Sequence, residues 1–191
     1  DYFANSISSY GTPYQVYRVY SPGGYSYATP YTNSLILNNR VFVPQTGSTH
    51  DAQAIEVYQQ AMPGYEIIGI QSNGWYDTDA LHCRTHEVAD AGMLYVYHMP
   101  VQPEIEACEI VNIETYIYPY SGEAVYSDSL LVFFKIEGEN TFTSVTLNDE
   151  GDNFYSAGIP VVPGNDVYYY IHAADASGRS VNHPFIGSYD P

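Results

Sequence analysis

Basic residues are scarce in this sequence. Lysine and arginine together number 5, against 22 aspartates and glutamates, so the 191-residue chain carries a formal net charge of −17. A surface this negative repels phosphates, and we therefore do not expect sequence-independent nucleic-acid binding or attachment to anionic membranes. Acidic disordered chains lack aromatic residues, whereas this one has 22 tyrosines and is 45% hydrophobic. The composition predicts a folded, strand-rich protein.

Long apolar runs and cysteines are also few. The longest apolar run, Leu130 to Phe134, is far shorter than the ~20 residues of a transmembrane helix. The chain starts at Asp1 with neither a methionine nor a signal peptide, so we expect an N-terminus made by processing, truncation or cleavage. Cys83 and Cys108 are too few for a disulfide scaffold, and they either form one bond or include a reactive thiol.

The acidic residues are unevenly distributed along the chain. Residues 1–100 hold 8 acids and 3 bases, whereas residues 101–191 hold 14 acids and 2 bases. The change coincides with the segment 99–103, Met-Pro-Val-Gln-Pro, whose two prolines interrupt regular strand pairing. We therefore predict two domains, residues 1–101 and 102–191.

The first part begins with strand patterns. Residues 14–20 alternate as a half-buried strand does. Two short β-prone runs, 34–37 and 41–43, flank Asn38-Asn39, and asparagine tolerates the positive φ of a tight hairpin. The sequence thus predicts a hairpin at this point.

A helix and another strand follow the hairpin. Thr49 is the predicted N-cap, Asp51 suits the positive end of the helix, and Pro63-Gly64 closes it. Residues 65–70 then form a buried strand, which gives a ββαβ unit. A later strand at 93–97 completes the first domain in this interpretation.

The second part contains no persistent helical period. Short alternating runs separated by Gly-containing turns indicate a β-sandwich of about seven strands, which defines a fold but no function. The runs are 109–118, 130–136, 141–147, 153–157 and 166–173.

The densest group of reactive side chains lies at residues 77–87. Cys83 is flanked by His82, Arg84 and His86, and nearby positive charge favours the nucleophilic thiolate. The alternative is a small buried cysteine with no chemistry. A zinc site using His82, Cys83 and His86 is a poorer option, since no second Cys/His pair follows at finger-like spacing.

Spacing limits which histidine serves as the base. In an extended segment His82 and Cys83 point to opposite faces, and His86 reaches Cys83 only if a turn or helix begins there. A base from elsewhere in the chain is therefore favoured. His98, His172 and His183 lie in predicted strands or loops, where a structural role is expected.

Several segments resemble bacterial Porphyromonas-type peptidylarginine deiminases. The resemblance implies an α+β protein: part of a pentein, a propeller of ββαβ modules, followed by an immunoglobulin-like sandwich. The His-Cys pair is also similar to that of agmatine deiminases, which lack the C-terminal sandwich. The segments are TNSLILNN at 32–39, AMPGYEIIG at 61–69, TDALHCRTHEVAD at 78–90, AADASGR at 173–179 and PFIG at 184–187.

The resemblance implies roles for three residues. Cys83 matches the nucleophile, Asn33 matches an asparagine that aligns the cysteine and the substrate, and Thr78 matches a position in the substrate loop. Without the resemblance, the favoured interpretation of Asn33 is a polar residue that satisfies local backbone groups at the start of a strand. Thr78 is open to a similar local role.

The family also uses a histidine and two aspartates that precede the asparagine segment. Residues 1–32 contain no histidine and no acid besides Asp1. The resemblance therefore implies that this chain is inactive alone and acts with an N-terminal portion of the same polypeptide. It further implies arginine-containing peptides as substrates, no cofactor or metal, a secreted or cell-surface location, and unpaired Cys83 and Cys108.

Two other functions stay open at this point. One is a non-catalytic binding or structural fragment, for which the tyrosine-rich sandwich offers contact area. The other is a deiminase of agmatine or free arginine, which the trailing sandwich disfavours.

Overall fold

The computed structural model describes residues 2–22, 29–101 and 110–191. The chain divides into two compact units: an α/β unit, Gln15–Val88, and a sandwich unit, Asp1–Tyr14 with Ala89–Pro191. Among the described helices, none has the length and apolar character needed to span a membrane.

The α/β unit is built on a three-stranded mixed sheet. Strand β2 lies between β1, which is antiparallel to it, and β3, which is parallel to it. The predicted ββαβ order is present. The elements are β1 (Leu35–Leu37), β2 (Arg40–Gln45), α1 (Asp51–Ala61), β3 (Glu66–Gln71) and the short α2 (Leu81–Arg84).

The β1–β2 hairpin turns at the predicted residues. Asn38 adopts a φ of 52°, the left-handed conformation that asparagine tolerates better than other residues with a Cβ. Leu37 and Arg40 pair directly across the turn. The Asn38-Asn39 pair therefore fixes the register that places Val41 and Val43 in the core.

Helix α1 begins one residue later than a Thr49 cap requires. His50 occupies the N-cap position and forms no side-chain cap hydrogen bond, so the predicted capping role of Thr49 is wrong. The buried carboxylate of Asp51 instead accepts hydrogen bonds from the backbone N–H of Gly47, at 2.8 Å, and from the hydroxyl of Tyr31, at 2.8 Å. Burial, aided by the nearby Asp51, raises the pKa of Tyr31 to about 12.

Residues 14–20 do not form the predicted strand. A strand needs a neighbour to receive its backbone hydrogen bonds, and the sheet of the α/β unit, in the part that the structure describes, has the order β1-β2-β3. Val19 nevertheless packs against the core formed by Tyr31, Val41, Val43 and Ala54. The other residues of this segment, 14–18 and 20, are exposed, so the alternation of residue types does not correspond to a buried face.

The sandwich unit consists of two four-stranded antiparallel sheets with the orders β4-β5-β9-β8 and β11-β10-β6-β7. Buried residues from both sheets share one hydrophobic core, including Ile113, Ile159, Val132 and Ile171. The strands are β4 (Leu94–His98), β5 (Ile110–Pro119), β6 (Leu131–Ile136), β7 (Thr143–Thr146), β8 (Asn148–Gly151), β9 (Phe154–Pro160), β10 (Val167–Ala174) and β11 (Ser180–His183).

The strand predicted at 93–97 belongs to the sandwich unit. The sequence predicted it in the first domain, residues 1–101. Strand β4 pairs antiparallel with β5, and its alternate residues Leu94, Val96 and His98 are buried. Their apolar face needs a partner, and the sandwich core supplies it. Pro100 therefore lies within the sandwich unit, and the chain passes from the α/β unit to the sandwich unit between Val88 and Ala89.

His98 is a buried structural residue of this core. Its Nδ1 lies 2.7 Å from the carbonyl of Glu114, so Nδ1 carries the proton, and Nε2 accepts the hydroxyl of Tyr169 at 2.8 Å. Burial lowers the pKa of His98 below its ordinary value.

Candidate active site

Cys83 lies on the short helix α2 with its side chain exposed and, among the described residues, as a free thiol. The side-chain Nδ2 of Asn33 donates a hydrogen bond to its Sγ at 3.0 Å. A nitrogen donor aimed at sulfur stabilises the negatively charged thiolate, which is the reactive form of cysteine.

Asn33 is itself held by the segment that carries the cysteine. Its Oδ1 accepts the backbone N–H groups of Ala80, at 3.2 Å, and Cys83, at 3.3 Å. Its own backbone carbonyl accepts the N–H of His82 at 3.2 Å. Both ends of the amide are thus in use, and this assignment fixes which end is the donor to sulfur.

Thr78 lies beside the thiol through its backbone. The Sγ of Cys83 is 3.6 Å from the carbonyl oxygen of Thr78. The exposed threonine side chain leaves the carbonyl as the group that faces sulfur. The three residues singled out in the sequence, Asn33, Thr78 and Cys83, therefore meet around one sulfur atom.

Arg84 organises the loop before the helix, a role that the sequence analysis missed. Its guanidinium binds both carboxylate oxygens of Asp79, at 2.9 and 2.8 Å, and donates to the carbonyl of Gly74 at 2.9 Å. It also lies over the rings of Trp75, at 5.2 Å, and Tyr76, at 5.9 Å. One side chain thus ties together the loop that contains Thr78.

Arg84 lies next to Cys83, as the sequence places it, and is in addition bound to Asp79. Its hydrogen bonds hold the pKa of Asp79 below its ordinary value, and Asp79 raises the pKa of Arg84 in return. The positive charge beside Cys83 is therefore largely compensated within the loop. The five-residue spacing between Asp79 and Arg84 was the available signal, since it fits a loop closing onto the first turn of a helix.

The neighbouring histidines do not gather around the sulfur. His82 and His86 are exposed, and in the part of the chain that the structure describes neither ring hydrogen-bonds to Cys83. Those same residues hold no group of three His, Cys, Asp or Glu side chains placed to bind a metal ion, which leaves the zinc alternative without support. Cys108, the other predicted free thiol, lies outside the described residues.

Comparison with known proteins identifies the segment that carries this site. Residues 2–88 match the family described as Porphyromonas-type peptidyl-arginine deiminase. This segment belongs to that family. The match contains Asn33, Thr78 and Cys83 and ends at Val88, the last residue of the α/β unit. The similar segments at 173–179 and 184–187 lie outside the matched range.

Two curated relatives are similar to part of this chain. A putative agmatine deiminase of Vibrio parahaemolyticus is 41% identical over 59 residues, which cover 30% of this chain and 16% of the relative. A putative agmatine deiminase of Marinomonas is 36% identical over 64 residues, covering 33% of this chain and 17% of the relative. The matches thus span about one sixth of each relative's length.

Proposed function

We propose that the α/β unit is the nucleophile-bearing part of a deiminase that converts peptidyl arginine to citrulline. The observation that carries this proposal is the hydrogen bond from Asn33 Nδ2 to the exposed sulfur of Cys83. An inert structural cysteine is normally buried among apolar groups, whereas this thiol is open to a substrate and faces an oriented donor.

In this mechanism the Cys83 thiolate attacks the central carbon of the substrate guanidinium. A carbon–sulfur bond forms, one terminal amino group accepts a proton, and the carbon–nitrogen bond to that group breaks to release ammonia. Water then adds to the thiouronium carbon, the carbon–sulfur bond breaks, and the added oxygen loses both of its protons as the carbonyl forms. Citrulline leaves and the thiolate is restored; of the two protons, one replaces the proton taken up by the leaving amino group, so the net reaction consumes one water and releases one ammonia and one proton.

Asn33 and Thr78 assist this chemistry in different ways. The Asn33 donor holds the sulfur in place and stabilises its charge before attack. The Thr78 carbonyl, 3.6 Å from Sγ, is an acceptor at the position that a guanidinium occupies when it approaches the thiolate. A carbonyl in this place orients the substrate N–H groups and adds no charge that would repel the thiolate.

The proton-transfer group and the guanidinium clamp come from elsewhere in this proposal. Among the described residues no histidine ring contacts the sulfur, and Asp79 is engaged by Arg84. We therefore assign the general acid–base histidine and the clamping carboxylates to an N-terminal portion of the same polypeptide. General acid–base catalysis alone contributes about 10²- to 10⁴-fold, so the 191-residue chain by itself should be inactive.

A second candidate is the deimination of agmatine or free arginine, which the names of the two curated relatives favour. The chemistry at sulfur is identical for all three substrates, because each presents an alkylguanidinium. The three substrates differ in the rest of the molecule to which the alkylguanidinium is attached. The family match of residues 2–88 supports the peptidyl substrate.

The proposal is tested by measuring citrulline and ammonia formation from peptides with terminal or internal arginine, from free arginine and from agmatine. Both the full-length gene product and the 191-residue chain are assayed, with Cys83→Ala as the inactive variant. We expect activity on peptides from the full-length protein alone, and a covalent adduct detectable by intact mass at Cys83. Activity on agmatine alone would select the second candidate.

Inactivity of the full-length protein toward every guanidinium would favour a non-catalytic binding fragment. Unchanged activity in Cys83→Ala would overturn the proposed mechanism. Cys108→Ala is the matched cysteine control, and we expect it to retain activity.

A further inference from the structure

The outer face of the β4-β5-β9-β8 sheet carries a row of three aromatic side chains. Tyr97 on β4 lies directly opposite Tyr116 on β5, which lies directly opposite Phe154 on β9. The ring centroids are 6.5 Å apart for the first pair and 5.0 Å apart for the second. Tyr97 and Tyr116 remain 44% and 38% exposed, so the row faces away from the sandwich core.

This aromatic row borders a surface pocket of about 310 Å³, whose lining also includes Asn112 and Glu114. Glu114 precedes Tyr116 by two residues on the same strand, and both therefore point to the same face. The Oε1 atom of Glu114 accepts a hydrogen bond from Asn112 Nδ2 at 3.0 Å, which orients the carboxylate. The pocket thus combines aromatic side chains with one positioned negative charge, beside the largely buried His98.

No basic side chain of the sandwich unit compensates this charge. The sequence of the unit contains two bases, Lys135 and Arg179. Lys135 lies over Phe142 and Tyr168, away from the pocket, and Arg179 is paired with Asp90. Among the described residues Glu114 forms no ion pair, and residues 101–191 hold 14 acids against 2 bases.

We propose that this pocket binds the cationic side chain of an arginine or lysine in a peptide or protein. Aromatic faces are electron-rich and attract cations, and an adjacent carboxylate adds a direct ion pair. An apolar partner would have to bury the Glu114 carboxylate without a counterion and the Asn112 amide without a new hydrogen-bond partner, and both are unfavourable. The site lies wholly within the sandwich unit, so it stands apart from the deiminase proposal.

The test is an NMR titration of the 191-residue Cys83→Ala chain, which prevents turnover of the ligand. The probes are Nα-acetylarginine amide and Nα-acetyllysine amide, with Nα-acetylcitrulline amide as a neutral ligand of nearly the same shape as arginine. We expect both cations to shift the ring resonances of Tyr97, Tyr116 and Phe154 saturably, and citrulline to leave them unmoved. Added salt should weaken binding of the cations.

Three substitutions connect binding to the proposed contacts. Tyr116→Leu and Glu114→Gln should each weaken arginine binding about 3- to 5-fold, the size of an exposed cation–π or charge contact, and Tyr116→Phe should preserve it. Tyr126→Leu, at a tyrosine that is 48% exposed and lies outside the pocket, is the matched control and should bind as the parent does.

Equal shifts from arginine and citrulline would overturn the proposal, as would equal losses in Tyr116→Leu and Tyr126→Leu. A response to a neutral oligosaccharide such as cellohexaose without a response to arginine would also overturn it and assign the aromatic row to carbohydrate. The ring resonances report on this pocket directly, so these outcomes do not depend on whether Cys83 is catalytic.

Discussion

The side-chain amide of Asn33 donates a hydrogen bond to the sulfur of Cys83 at 3.0 Å, across 50 residues of sequence. The same amide accepts two backbone N–H groups from the Cys83 segment through its oxygen. One asparagine therefore both shapes the turn and faces the thiol, and the two roles are separable by substitution.

Asn33→Asp should retain the shape of the turn but lose function. Aspartate keeps the acceptor for Ala80 and Cys83, removes the donor to sulfur and places a negative charge beside the thiolate. We expect deimination by the full-length protein to fall about 100-fold or more, as for loss of one preorganised donor. The thermal midpoint should stay close to that of the parent. Equal losses of stability in Asn33→Asp and Asn33→Ala would indicate a purely structural residue.

Arg84 should act as a positioning residue for the Thr78 loop. Arg84→Lys keeps the charge but loses the two-pronged contact with Asp79, and Arg84→Gln loses both. We expect kcat to fall about 10- to 100-fold in each variant, because a displaced loop misplaces the substrate. The rate at which iodoacetamide alkylates Cys83 should change together with kcat in the same variants.

Arg40→Gln is the control for this prediction. Arg40 forms an exposed ion pair with Glu66 on the same sheet, away from the cysteine. Its loss should leave both kcat and alkylation unchanged. If Arg84→Lys behaved like Arg40→Gln, the bidentate contact between Arg84 and Asp79 would have no role in positioning the loop.

Tyr31→Phe should destabilise the α/β unit. The change removes the hydroxyl that donates to buried Asp51, at a cost of about 1–3 kcal/mol. The pKa of Tyr31 is raised to about 12, so its contribution to stability is complete below pH ~10 and is lost as the pH rises toward 12. Urea unfolding at several alkaline pH values measures both effects. Tyr20→Phe, at a tyrosine that is 58% exposed, should match the parent.

Acidification should destabilise the sandwich unit through His98 and His183. Burial lowers the pKa of both, and their rings lie 6.0 Å apart. The unfolded chain therefore binds more protons than the folded one below pH ~6.5, and the unfolding free energy should fall as the pH drops through the lowered pKa values. Protonation of Nε2 also breaks the bond from Tyr169.

His98→Gln should flatten this pH dependence in thermal unfolding between pH ~7 and ~5. His172→Gln serves as the control, since His172 contacts Asn182 through Nδ1 and lies in the same unit. An unchanged slope in His98→Gln would show that other groups set the acid sensitivity.

Local chemistry made the hairpin and the central helix predictable. Asn38 supplies the left-handed turn, and α1 ends at Ala61, just before the predicted stop at Pro63-Gly64. The helix start was missed because a cap was sought on Thr49, whereas a buried network around Asp51 fixes the preceding loop. The hydrogen bond between Tyr31 and Asp51 joins residues that are 20 apart in sequence, and such a contact leaves no local pattern in the sequence.

The candidate site was predictable only in part. Cys83 stands out by composition, but its contact with Asn33 joins distant segments, and the prediction of Asn33 came from family resemblance. Arg84 was interpreted by its charge alone, and the structure shows that its geometry matters as well. Strand β4 pairs with β5 of the sandwich, whereas the sequence predicted that it belongs to the first domain. A proline-rich segment can connect two domains or two strands of one domain, and the sequence does not distinguish the two cases.

Trp75 links the loop that contains Thr78 to the strand β3. Strand β3 is an edge strand in the described sheet, and the indole N–H of Trp75 donates to the carbonyl of Ile70 at 3.2 Å. Unprotected edges of apolar strands recruit strands from other chains, and the sequence of β3, EIIGIQ, carries one charge. The loop that Arg84 holds together thus occupies one backbone acceptor, the Ile70 carbonyl, of the strand β3 through Trp75.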